Sequence, residues 1–178
     1  GGVVMTSPLF LKDRRVTFAC IRLASPVGLL TIVASAGQLV AVLWPQDRPS
    51  RVPLPALGEA KDDPLLKEAS AQLAAYFDGE LRRFDLPCAL AGTPFQRDVW
   101  RALDTIPYGQ TRSYGAIATD IGRPTAVRAV GAANGRNPLS IITPCHRVVG
   151  RNGDLTGFAG GLHAKQWLLA HEARVLAR

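Results

Sequence analysis

Apolar and β-branched positions dominate residues 16–23, 29–34 and 38–44, and the turn-like strings Ser25-Pro26-Val27-Gly28 and Ala36-Gly37 separate them. Runs of this length bounded by turn residues predict strands, and two tight connections in succession predict an antiparallel meander. Residues 45–64 hold five prolines, scattered charge and no period, which predicts an irregular surface loop. Asp63-Pro64 then opens a helix. Aspartate caps it, proline occupies the first turn where an N–H is not needed, and Leu65, Leu66, Ala69, Leu73, Tyr76 and Phe77 share one face before Gly79 ends it. That face predicts packing on the meander. Residues 81–88 read as a further strand and Ala89-Leu90-Ala91-Gly92 as a connection, while Gly1 to Val4, ahead of Met5, are expected to stand outside the fold.

Beyond residue 92 the period changes from strand-like to helical. Thr93-Pro94-Phe95-Gln96 forms a capping box, with threonine at the cap, proline behind it and glutamine at the third helical position, opening a helix to about residue 105 that Pro107-Tyr108-Gly109 ends. Ser113 caps a short helix over residues 114–121 that Gly122 terminates, and Arg123-Pro124 begins another over 125–134. Two short helices joined by a tight glycine-containing turn predict a helix-turn-helix. The second helix carries Ala126, Val127, Arg128, Ala129, Val130, Gly131, Ala132 and Ala133, so it offers one long polar side chain among small ones. Such a helix can read little sequence from base edges, but its backbone can approach a partner closely and its arginine can probe a base stack. The same composition also suits tight packing on a neighbouring helix. Residues 162–172 form a last amphipathic segment, anchored by Trp167, Leu168 and Leu169 and ending in Glu172. The expected fold class is α/β (α+β). A small N-terminal antiparallel-sheet domain with one helix spans residues 1–91, and a mainly helical domain with the helix-turn-helix spans 92–178.

Charge is distributed unevenly between these halves. Residues 1–90 carry 10 Lys or Arg against 9 Asp or Glu, whereas residues 91–178 carry 11 against 5, and ten of those eleven are arginine. Arginine suits bidentate and stacked contacts with phosphates and bases, so the basic half points to a polyanion partner, though a solvated basic surface has the same composition. No run approaches the roughly 20 apolar residues of a membrane span, and the start lacks a basic region followed by an apolar core, so neither a membrane nor an exported location is expected. The three cysteines, Cys20, Cys88 and Cys145, cannot all pair within the chain and are not clustered as zinc ligands, which predicts free thiols in a reducing compartment.

One thiol differs from the others in its neighbours. An apolar run over residues 139–142 ends abruptly in Thr143-Pro144-Cys145-His146-Arg147. Thiolate is the nucleophilic form of cysteine, and an adjacent imidazole and guanidinium favour the anion, which makes Cys145 a candidate nucleophile. Cys20 lies in an apolar strand pattern and Cys88 follows a proline, neither with a histidine nearby, so both read as buried packing residues. Adjacent side chains often diverge, so His146 would serve Cys145 through a bridging water, with a carboxylate orienting the ring from its other side. Of the five carboxylates in the basic half, Asp98, Asp104, Asp120 and Asp154 fall on helix surfaces, at helix ends or in a turn, which leaves Glu172 as the best candidate.

These residues sit in a longer pattern. Pro144-Cys145-His146-Arg147-Val148 resembles the active-site signature of the O6-alkylguanine-DNA alkyltransferases. Gly92-Thr93-Pro94-Phe95-Gln96, Ile106-Pro107-Tyr108-Gly109, Ser113-Tyr114-Gly115, Arg128-Ala129-Val130-Gly131 and Asn134-Gly135-Arg136-Asn137-Pro138 match that family upstream. Gly157-Phe158-Ala159-Gly160-Gly161 and Trp167-Leu168-Leu169-Ala170-His171-Glu172 match it downstream, so the likeness covers nearly all of residues 92–172. The resemblance implies a DNA repair protein that flips an O6-alkylguanine out of double-stranded DNA and moves the alkyl group onto Cys145. O4-alkylthymine is an expected second substrate. By the same resemblance His146 is the water-mediated base, Glu172 its partner, Asn137 the holder of the cysteine turn, and Tyr114 the hydrogen-bond donor to purine N3. Arg128 takes the place of the extruded base, with Ala126, Ala129 and Gly131 giving close approach to the minor groove. Val148, Gly157, Phe158, Ala159 and Gly160 line the pocket.

Displacement at an alkyl carbon needs a soft nucleophile and a neutralised leaving group, which a thiolate and a phenol supply, so no cofactor and no metal are expected. The product thioether has no carbonyl for water to attack, which predicts one event per molecule. The resemblance further implies a monomer in the cytoplasm, or in the nucleus of a eukaryote. Phe158 and Ala159 stand where many members carry tyrosine and serine, so two pocket hydroxyls are missing, and Ser140 replaces a proline of mammalian members. Three other activities are open to the same residues: lesion recognition without transfer, a thiol hydrolase using Cys145, His146 and Glu172, and a helix-turn-helix regulator. The first is disfavoured because Cys145 is present; the second would turn over esters without DNA; the third would bind a specific sequence.

Overall fold

The computed structural model describes residues 3–6 and 17–178, with backbone only for 3–6. The chain divides into two compact units, residues 1–92 and 93–178. Among the described residues no helix is long and apolar enough to cross a membrane.

The N-terminal unit is built on a six-stranded sheet. Its strands are β1 (Val3–Thr6), β2 (Phe18–Ser25), β3 (Gly28–Ser35), β4 (Gln38–Leu43), β5 (Leu57–Glu59) and β6 (Cys88–Ala91), in the order β1-β6-β4-β3-β2-β5. The predicted meander forms its middle. β2 pairs antiparallel with β3, placing Ile21 opposite Ile32, and β3 pairs antiparallel with β4 through a bulge at Val33 and Ala34. Val16, the first residue of the predicted strand, lies outside the described residues. Leu39, Val40, Ala41 and Val42 are all buried, so β4 is covered on both faces, as a strand with consecutive apolar residues must be.

Three sequence expectations are corrected at the sheet margins. The proline-rich stretch is not wholly irregular, because Leu57–Glu59 adds a strand parallel to β2. The strand expected over residues 81–88 starts only at Cys88, and Ala89, Leu90 and Ala91, expected as a connection, form β6, which pairs parallel with β1 and β4. Val3 and Val4, expected outside the fold, belong to β1. Backbone pairing overrides weak local propensity in the first two cases, whereas Val3 and Val4 are strand formers, expected outside the fold only because they precede Met5. Helix α1 (Pro64–Phe77) packs across the meander with Leu66, Ala69, Leu73 and Tyr76 buried. Asp63 caps it by accepting from the Leu66 amide, and Gly79 ends it at φ +79, with the Glu80 amide donating back to Ala75.

The C-terminal unit contains α2 (Pro94–Leu103), α3 (Tyr114–Asp120), α4 (Val127–Gly135) and α5 (Leu162–Leu176), with a two-stranded parallel ladder of β7 (Arg112–Ser113) and β8 (Val148–Val149). The capping box opens α2: the Gln96 amide donates to the Thr93 hydroxyl, and the Thr93 amide donates to the Gln96 side chain. α3 and α4 are the helix-turn-helix pair. Gly122 turns the chain at φ +75 while the Arg123 amide donates to Ala118, and α4 starts two residues later than the pattern predicted, leaving Thr125 in the turn. Trp100 of α2 is buried and its indole N–H donates to the Ala133 carbonyl at 2.8 Å, fixing α4 on α2. α5 runs four residues beyond its expected end at Glu172.

Candidate active site

The site is assembled by one turn of 3-10 helix, Cys145–Arg147, which follows Pro144 and leads into β8. All three residues are buried. The segment before it is held from inside. Asn137, fully buried, donates its side-chain amide to the Thr143 carbonyl at 2.9 Å and accepts from the Leu139 amide at 3.0 Å. Ile141 in that turn sits at φ +73, a region in which a β-branched residue is strained, and its burial keeps it there. Asn134 of α4 donates to the Cys145 carbonyl at 3.4 Å, linking the helix-turn-helix to the cysteine turn.

Beneath the turn lies Glu172 of α5, itself fully buried. Its carboxylate accepts from His146 Nε2 at 2.7 Å, from Arg147 Nε at 2.9 Å and Nη2 at 3.2 Å, and from the Gly109 amide at 2.9 Å. The remaining arm of Arg147 donates to the Ile106 carbonyl at 2.8 Å. Burial alone would raise the Glu172 pKa, but the hydrogen bond from His146 and the Arg147 guanidinium overcome it and hold the carboxyl far below its usual range. Burial lowers the pKa of His146, outweighing the Glu172 hydrogen bond, with Arg147 and Lys165 pushing the same way as burial. The ring is therefore neutral, its Nε2–H is committed to Glu172, and Nδ1 carries the lone pair. That Nδ1 is buried and has no hydrogen-bond partner among the described residues.

Tyr114, the first residue of α3, is half-buried, with the backbone of Gly131 in α4 beneath its ring. A Cβ added at Gly131 would lie 3.9 Å from two ring carbons, an ordinary contact. The Tyr114 hydroxyl lies 2.7 Å from Thr156 Oγ1. Lys165 of α5 is fully buried and its ammonium donates to the Val148 carbonyl at 2.6 Å, with its Nζ 6.0 Å from the Tyr114 ring centre and 5.8 Å from that of Phe158. Burial lowers the Lys165 pKa, and a charge on Cys145 opposes that shift.

Of the residues singled out in the sequence, Cys145, His146, Val148, Asn137 and Glu172 thus meet around one turn. Tyr114, Gly131 and Phe158 lie around Lys165 or each other. Arg128 and Ala129 stand exposed on α4 with Ala126 half-buried at its cap, and Gly157, Ala159 and Gly160 lie in the exposed to half-buried loop before α5. Arg147, expected as a guanidinium favouring the Cys145 thiolate, is committed to Glu172 and the Ile106 carbonyl, while Lys165 and Thr156 were missed. For Lys165 a signal existed, since it lies two turns before Glu172 and shares the buried face of α5 with Leu168 and Val175. Among the described residues no three His, Cys, Asp or Glu side chains converge as metal ligands would.

Fold and site together define a helix-turn-helix protein with a buried cysteine centre. The model of the 6-O-methylguanine DNA methyltransferase DNA binding domain matches residues 94–174, and that of the ribonuclease-like domain of the same proteins matches residues 18–90. A methylated-DNA--protein-cysteine methyltransferase of Mycolicibacterium paratuberculosis is 52% identical over 153 residues, covering 84% of this chain and 89% of the relative. One of Shigella flexneri is 47% identical over 163 residues, covering 87% and 95%. The crystal structure of Mycobacterium tuberculosis OGT in complex with DNA matches with a TM-score of 0.77 at 46% identity, over 90% of this chain and 94% of that one. The O6-methylguanine-DNA methyltransferase of Pyrococcus kodakaraensis matches at 0.60 and 25% identity, over 87% and 98%. The chain belongs to the 6-O-methylguanine DNA methyltransferase family.

Proposed function

We propose that this protein repairs double-stranded DNA by direct reversal, taking the alkyl group of O6-alkylguanine onto its own Cys145 once and irreversibly. O4-alkylthymine offers the same kind of alkoxy carbon and is the second substrate. The observation that carries the reading is the commitment of His146 Nε2–H to Glu172 at 2.7 Å, which leaves a buried lone pair on Nδ1 next in sequence to a cysteine. A neutral imidazole so oriented is a general base for the thiol, acting through a bridging water. The names of the relatives, and the DNA complex of the Mycobacterium tuberculosis protein, support the same substrate.

In the reaction, the Cys145 proton passes to His146 and the sulfur attacks the alkyl carbon. The S–C bond forms as the C–O6 bond breaks, and the Tyr114 hydroxyl gives a proton to guanine N3 as the base leaves. The proton held at His146 replaces the one the phenol gave up, so the base departs with one hydrogen in place of its alkyl group. A thioether offers water no carbonyl, so the reaction stops after one event. Asn137 positions the turn. Arg128 fills the stack left by the flipped base, offsetting part of a cost of a few kcal/mol, while Ala126, Ala129 and Gly131 let α4 approach the minor groove. Val148, Gly157, Phe158, Ala159 and Gly160 line the pocket. The protein acts as a monomer in the cytoplasm.

The test is a duplex whose restriction site is blocked by one O6-methylguanine. The cleavable product should rise in a single burst equal to the protein added, and stop. Continued turnover, or no burst, contradicts the proposal.

A further inference from the structure

The hydrogen bond between Tyr114 and Thr156 is used by none of the steps above. Their oxygens are 2.7 Å apart and either can donate. Thr156 is held in that position by its own loop. The Gly150 amide donates to the Asp154 carbonyl at 2.7 Å, closing the turn, and the Thr156 methyl sits so close to Gly150 that a Cβ built there would lie 3.0 Å from it. The Tyr114 ring lies beside Gly131, where an added Cβ would be 3.9 Å from it, and faces Lys165 Nζ at 6.0 Å from its centre. The two hydroxyls are thus brought together from separate elements, the start of a helix and a loop 42 residues away.

Resting on the alkyl-transfer reading, we infer that Thr156 is a positioning residue for the leaving group: its hydroxyl donates to the Tyr114 oxygen as Tyr114 gives its own proton to purine N3. A phenol has one proton. When that proton is aimed at the base, its oxygen can only accept from Thr156, so the direction of the 2.7 Å bond is set by the substrate. An accepted hydrogen bond stabilises the negative charge that grows on the phenol oxygen during transfer, the same electrostatic effect that fixed donors exert on any developing oxyanion. The bond also holds the phenol in one rotamer before DNA arrives. All bonds broken and formed remain those of the alkyl transfer itself.

The experiment measures single-turnover transfer from a duplex containing O6-methylguanine, with lesion binding measured separately. Thr156→Val keeps the shape and removes the hydroxyl, and should slow transfer about tenfold, the size of one hydrogen bond to a charge-bearing oxygen, with binding within about twofold. Thr156→Ser should restore the rate to within about twofold of wild type. In a Tyr114→Phe background Thr156→Val should have no further effect, and none on a duplex carrying O6-methyl-3-deazaguanine, which has no ring nitrogen to protonate. An unchanged rate in Thr156→Val overturns the role of Thr156 and leaves the transfer reaction standing. So does a slowing that persists in the Tyr114→Phe protein or on the 3-deaza duplex. A wild-type protein that transfers nothing overturns both.

Discussion

Replacing Arg147 by methionine isolates what the buried charge network contributes, since it removes the cation and keeps most of the volume. Glu172 is fully buried and accepts two hydrogen bonds from this guanidinium, at 2.9 and 3.2 Å. Arg147→Met would remove both of these bonds, and the only formal positive charge among them, from a carboxylate held out of water, and would orphan the Ile106 carbonyl now bonded at 2.8 Å. Removing one member of a buried pair costs about 3–5 kcal/mol, most of it the penalty on the charge left behind. Because the penalty lies with that charge, adding Glu172→Gln to Arg147→Met should recover part of the loss and not add to it. Arg147 also lowers the His146 pKa, so the single variant should raise it and move the onset of alkyl transfer to higher pH. Urea unfolding at neutral pH reads the stability, and transfer rates across pH read the base. A loss under about 1 kcal/mol in Arg147→Met, or a double variant destabilised by the sum of the two singles, would refute the reasoning.

Asn137→Ala deprives the buried Leu139 amide of its side-chain partner and removes one of two hydrogen bonds to the Thr143 carbonyl, which keeps the one from the Cys145 amide at 2.8 Å, so it should cost about 1–3 kcal/mol in urea unfolding. Gly109 stands at φ +77 with a virtual Cβ 2.0 Å from Leu176 Cδ1. Leu176 is exposed and can move, so Gly109→Ala should cost mainly the left-handed backbone, about 1–2 kcal/mol by thermal or urea unfolding. Stability should also fall in acid. His146 is neutral in the fold and takes a proton near pH 6.5 when unfolded, so its contribution is present above that pH and declines below it by up to about 1.4 kcal/mol per pH unit. Glu172, ionised in the fold, adds a second decline once the unfolded chain protonates below about 4.5. Urea midpoints measured from pH 8 downward should show the first decline, and His146→Gln should remove it.

The elements with strong local signals were legible. Asp63-Pro64 and Thr93-Pro94-Phe95-Gln96 encode their helix starts in the cap residues themselves, and the meander is spelled by apolar runs between turn strings. The missed strands lack such signals. Leu57–Glu59 is three residues long among prolines, and Cys88–Ala91 is rich in alanine, so both exist only because a neighbouring strand pairs with them. In the site, elimination among five carboxylates led to Glu172, and the cysteine's neighbours led to Cys145 and His146. What sequence adjacency hides is direction. Arg147 follows His146 but both side chains turn to the same carboxylate 25 or more residues away. Thr156 meets Tyr114 across 42 residues from a loop with no period, and no pattern within the chain announces such a contact.

The central claim is that Cys145 itself receives the alkyl group. Intact-protein mass spectrometry after incubation with a duplex carrying one O6-methylguanine tests it most directly, with Cys145→Ala in parallel and peptide mapping of the product. The account predicts the mass of one methyl group added per molecule, mapped to Cys145, absent from the variant and not increased by excess duplex. An unchanged mass in a protein that binds the lesion tightly, or a methyl group on any other residue, would contradict it.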